Sequence, residues 1–173
     1  MAVQMLQGNA LDARADALVL TIDGARRGME GNIARAFARR WPDAFEEIEE
    51  QIRYPVPLGR TLATYPESDC PFRTVLFAST LHHLDVLTDT QKSAIIASAL
   101  TQAVNLALKQ RCRSVATAVM SGGWRLPFDA ALSTMLSALA PHASHQTLPA
   151  VLIYVLNQRD WVRAKEIMTE FGT

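Results

Sequence analysis

The amino-acid sequence predicts an α/β sandwich, a mostly parallel sheet covered by helices on both faces. Three observations point there. Continuous apolar runs of strand length recur along the chain, amphipathic helical periods separate them, and 173 residues at 49% hydrophobic and 20% charged fit one globular domain spanning 1–173.

The first strong run is Ala17-Leu18-Val19-Leu20-Thr21-Ile22, which reads as a strand buried on both faces. Thr74 to Ala78, Ser114 to Val119 and Val151 to Val155 repeat the pattern, and Val3 to Leu6 and Arg60 to Tyr65 are weaker strand candidates. Between them, Ile33, Ala36 and Phe37 mark one helix, and Phe45, Ile48 and Ile52 mark a second after the break at Pro42. Ile96, Leu100, Ala103, Val104 and Ala107 form a stripe along residues 91–109. Leu132, Met135, Leu136 and Leu139 repeat it, and Trp161, Ala164, Met168 and Phe171 line the last helix.

Lysine plus arginine is 17 and aspartate plus glutamate is 17, so the net charge is zero. That speaks against nucleic-acid binding by bulk electrostatics. No apolar run approaches the roughly 18 residues of a membrane span, and no signal-peptide pattern opens the chain. Cys70 and Cys112 stand 42 residues apart without a paired motif, which reads as two reduced thiols in a cytoplasmic protein. His82-His83 and His142-x-x-His145 lack cysteine or carboxylate partners at ligand spacing, so neither a metal nor a resident cofactor is expected.

In such sheets ligands collect at the carboxyl ends of strands, which directs attention to the loops after residues 22, 79, 120 and 156. Two of these loops are glycine-bearing. Asp23-Gly24-Ala25-Arg26-Arg27-Gly28-Met29-Glu30-Gly31-Asn32 runs into a helix, and Ser121-Gly122-Gly123-Trp124-Arg125-Leu126-Pro127 runs into another. Backbone amides there can turn toward a diphosphate, although neither loop is a Walker A sequence.

The order of these pieces resembles a macrodomain. Gln7-Gly8-Asn9-Ala10-Leu11, Ala15-Asp16-Ala17-Leu18-Val19 and Gly28-Met29-Glu30-Gly31-Asn32-Ile33-Ala34-Arg35-Ala36 are similar to that family's G-D-I-T, D-A-I-V-N-A-A-N and G-G-G-V-D-G-A-I-H-x-A. Leu58-Gly59-Arg60-Thr61 is similar to T-G-E-A, and Val115 to Gly123 to I-A-F-P-A-I-S-T-G. The resemblance implies a three-layer α/β/α sandwich on a mixed sheet of about six strands. It also implies binding of ADP-ribose or a related nucleotide, and through it of an ADP-ribosylated protein. Carried over by position, Asn9 would meet the base, Asp23 the distal ribose, and Gly28, Met29 and Gly31 the first phosphate loop. Ser121, Gly122, Gly123 and Trp124 would form the second loop, and Trp161 would stack on adenine. Glu30 stands where hydrolytic members place the aspartate that helps to activate water, with Asp23 orienting the ribose.

The departures from the family pattern matter too. Leu20 replaces an asparagine, Arg26-Arg27 stands in the glycine run, and the second loop is one residue shorter. Each candidate also has a purely structural reading: Glu30 favours a helix start, Asp23 begins a turn with Gly24, and Trp161 packs on its helix's apolar stripe. Arg26 and Arg27 either contact phosphates or are solvated. A binding module is expected first; hydrolysis of ADP-ribosyl or O-acetyl-ADP-ribose linkages, and a diverged domain acting through protein contacts, are the alternatives.

Overall fold

The structure, a computed structural model, describes residues 2–28, 31–121, 126–142 and 148–171. Six strands form one sheet: β1 (Val3–Gln7), β2 (Ala17–Asp23), β3 (Thr61–Thr64), β4 (Thr74–Leu81), β5 (Ser114–Ala118) and β6 (Ala150–Val155). Five helices join them: α1 (Asn32–Arg40), α2 (Pro42–Glu50), α3 (Asp89–Lys109), α4 (Phe128–Leu139) and α5 (Gln158–Glu170). The strand order is β1-β6-β5-β2-β4-β3, and only the edge strand β3 runs antiparallel to its neighbour. Mixed, mostly parallel and helix-covered, this is the expected fold class. Among the described residues no helix is long and apolar enough to cross a membrane.

The two-residue period of a strand sorts β2 between two cores. Ala17 and Val19 pack with α3, α4 and α5, whereas Leu18, Leu20 and Ile22 pack with α1 and α2. With all five of those apolar residues no more than 2% exposed, β2 is the central buried strand that its unbroken apolar run predicts. On the α1–α2 face, Phe37, Trp41, Phe45 and Phe72 form a tilted and edge-to-face aromatic group. The break at Pro42 separates the two helices, with proline in the first turn of α2, where its missing N–H costs nothing.

Away from the sheet, Glu47 of α2 gathers the loop before β4. Its carboxylate accepts the Ser68 hydroxyl and the N–H groups of Ser68 and Glu67, at 3.0 and 2.7 Å for the amides. The Ser68 hydroxyl, then those amides, hold the Glu47 carboxyl below its ordinary value of 4.5. A lowered folded-state pKa adds stability above the unfolded value and loses it as pH falls through the folded one. Glu47→Gln is therefore expected to flatten the acid limb of the stability curve below about pH 4.5. Denaturant melts of both proteins from pH 7 to pH 3 would show this.

Candidate functional site

All five parallel strands end at the same edge, and there the sheet divides. β2 and β5 pair only through Ala17↔Val115 and Leu18↔Ala116, although β2 continues to Asp23 and β5 to Ala118. The two strands part because the chain leaves β2 toward β4 on one side and returns through β5 on the other. Such a reversal leaves a crevice beyond the strand ends.

The crevice has two adjoining chambers. One, of about 270 Å³, is walled by Gly8, Asn9, Leu11, Ile33, Ala36, Ser121, Phe128, Tyr154, Leu156, Asn157 and Asp160. The other, of about 190 Å³, lies against Thr21, Ile22, Gly31, Thr80 and Leu81. Asn32, Ile33, Ala118 and Val119 border both, so the chambers meet at the start of α1.

The start of α1 is built for an anion. Its N-cap is Gly31, which supplies no side-chain acceptor, and its first turn carries no acidic residue. Each of the other four helices has an aspartate there: Asp43, Asp89, Asp129 and Asp160. Arg39 and Arg40 occupy the last turn of α1, so its charges already favour the helix and leave the amino end open to a negative group. Gly31 is a glycine for a steric reason as well. A Cβ at this position would come within 3.0 Å of the Thr21 carbonyl oxygen, narrowing the second chamber.

At the far end of the first chamber, Asn9 caps a single 3₁₀ turn, Ala10–Asp12, with its Oδ1 accepting the Leu11 N–H at 3.0 Å. On the adjoining connection, Asn157 caps α5 in the same way. Its Oδ1 accepts the Asp160 N–H at 2.8 Å, and its Nδ2 donates to Asp160 Oδ2 at 2.6 Å. Burial, and then the charge of Asp12, push the Tyr154 phenol above its ordinary value, so at neutral pH it remains a hydroxyl able to donate.

Of the residues expected from sequence, Asn9, Gly31 and Ser121 line the crevice. Met29, Glu30, Gly122, Gly123 and Trp124 lie outside the described residues. Gly28 lies beside neither chamber but next to Phe45 and Glu49 of α2. Arg27 turns the same way, its Nε 3.3 Å from Glu49 Oε2. Trp161 packs against the core under α3, α4 and α5, with the Lys165 ammonium 5.8 Å over its ring. Among the described residues, the aromatic rings on the crevice wall are those of Phe128 and Tyr154.

Asp23 is 3% exposed and borders neither chamber. Its Oδ1 accepts the Ala25 N–H at 2.9 Å. Its Oδ2 accepts the His83 N–H at 3.0 Å and faces His83 Nδ1 at 3.0 Å. The carboxylate thus ties the end of β2 to the segment after β4. Sequence reasoning passed over Asn32, Tyr154, Asn157 and Asp160. Asn157-x-x-Asp160 just after a strand is a legible helix cap, and Tyr154 stands out by period-two alternation in β6.

Known structures share this architecture. The macrodomain of Thermus aquaticus DarG matches with a TM-score of 0.67 at 22% identity, over 88% of this chain and 97% of that one. The Oceanobacillus iheyensis macrodomain with ADP matches with a TM-score of 0.84 at 15% identity, over 98% and 90%. The Trypanosoma brucei macrodomain in complex with ADP matches with a TM-score of 0.77 at 17% identity, over 96% and 69%. No curated protein shows a significant sequence match to the chain. The family's own sequence pattern nevertheless matches residues 24–135, from the loop after β2 to the middle of α4 and well over half of the chain. The split sheet and its crevice are therefore those of a diverged relative, and the chain belongs to the Macro domain family.

Proposed function

We propose that the chain binds ADP-ribose or a related nucleotide across the two chambers, with its diphosphate at the start of α1. The observation that carries this is the junction itself. An uncapped helix start, free of acidic residues, opens where a chamber with two aromatic walls meets a smaller one. A nucleoside fits the first chamber, a phosphate the junction and a second sugar the other chamber. Two similar macrodomains, from Oceanobacillus iheyensis and Trypanosoma brucei, have been solved with ADP, which supports the same ligand class here. A protein carrying ADP-ribose would enter by the same route.

Binding is favoured over hydrolysis with Glu30 as base and Asp23 orienting the ribose, because both oxygens of the Asp23 carboxylate are already engaged with Ala25 and His83. Calorimetric titration with ADP-ribose, with AMP and NAD as controls, is expected to give a micromolar Kd, about −8 kcal/mol. Absence of both heat and thermal shift at millimolar ligand would overturn the proposal in favour of a domain acting through protein contacts.

A further inference from the structure

If phosphates occupy the junction, the base lies at the remote end of the first chamber, between the turn at Gly8–Leu11 and the connection from β6 to α5. Leu11 and the Tyr154 ring give the chamber apolar walls suited to a heterocycle. Its polar groups are more selective. Because Asn9 Oδ1 accepts the Leu11 N–H, the orientation of the amide is fixed, and Nδ2 is the group it offers to the chamber. Among the described residues this Nδ2 has no hydrogen-bond partner. On the adjoining connection, whose Val155 carbonyl accepts the Gly8 N–H at 3.0 Å, Asp160 also borders the chamber; Asn157 holds one of its carboxylate oxygens and the other remains as an acceptor.

The base end therefore presents a donor from Asn9 and an acceptor from Asp160. Adenine would set its exocyclic amine, a donor, against the donor of Asn9, and its ring nitrogen, an acceptor, against the acceptor of Asp160. A purine with a carbonyl in place of that amine has the opposite pattern: the carbonyl accepts and the adjacent ring N–H donates. We propose that Asn9 makes this cleft selective for an oxopurine nucleotide, one bearing hypoxanthine or guanine, over an adenine nucleotide. This rests on the nucleotide-binding reading above and names its base.

The test compares ADP with IDP, which differ at the position in question by an amine against a carbonyl. The wild-type chain is expected to bind IDP about tenfold more tightly than ADP, the cost of opposing two unmatched polar groups. Asn9→Asp keeps an oxygen for the Leu11 N–H and places a second acceptor where Nδ2 stood, leaving one matched and one unmatched group for either base, so it is expected to abolish the preference. Asp160→Asn is expected to weaken IDP more than ADP. Equal or tighter binding of ADP by the wild-type chain, or an unchanged ratio in Asn9→Asp, would overturn the base assignment and leave nucleotide binding standing. Failure of both nucleotides at millimolar concentration would overturn the two together. GDP in a third titration separates guanine from hypoxanthine.

Discussion

Gly24→Ala is expected to lower the melting temperature by about 10 °C, from a destabilisation of about 3 kcal/mol in a domain of this size. Gly24 follows β2 directly, and its N–H donates to the Leu81 carbonyl while its own carbonyl accepts the Val56 N–H. A Cβ here would stand 2.0 Å from Ser79 Oγ and 2.6 Å from the Val56 carbonyl oxygen. Removing the hydroxyl with Ser79→Ala gives only partial rescue, because the backbone oxygen remains. Gly28→Ala is the control. Its φ of +80° disfavours a side chain, but nothing lies within 4 Å of the added atom. About 1 kcal/mol, or roughly 3 °C, is expected there. Thermal melts of the three variants and the wild-type chain decide the matter. A Gly24→Ala melt within about 2 °C of wild type would mean that the Val56 segment moves aside cheaply.

Ala118→Phe is expected to weaken ADP-ribose binding at least about a hundredfold, which is about 2.8 kcal/mol. Ala118 ends β5 and borders both chambers, so a ring there fills the place where they meet. The side chain is only partly buried, and the core is not asked to hold the ring, so the melt should stay within a few degrees of wild type. Titration of the folded variant checks it. Undiminished binding would place the ligand elsewhere on the molecule.

Much of the fold could be read from local pattern. The Ala17–Ile22 run and the stripes of α3 and α4 announce themselves because burial on two faces or one leaves a period that neighbouring residues share. The antiparallel direction of β3 and the parting of β2 from β5 depend on partners far away in the chain, which no local period records. The site divides the same way. Asn9, Gly31 and Ser121 stand in loops at strand ends, where a place on the crevice wall can be foreseen from position alone. Asp23 also stands at a strand end, but its carboxylate is taken by His83, sixty residues later, a contact that exists only once the sheet has formed. Trp161 had two readings on one helical stripe, and its packing among α3, α4 and α5 is the one seen here. Arg27 is a loop cation whose partner, Glu49, lies on another helix.

The position of β6 has a consequence for synthesis. β6 lies between β5 and β1, and among the described residues β1 has no other strand beside it. Of these six strands the earliest therefore waits for its partner until the other five have been made, because that partner is the latest of the six. The same late stretch carries Tyr154, Asn157 and Asp160, a whole wall of the crevice. A nucleotide bound as proposed would thus be no help to the growing domain: each earlier intermediate must reach β6 on its own stability, and the ligand would protect only the completed sheet.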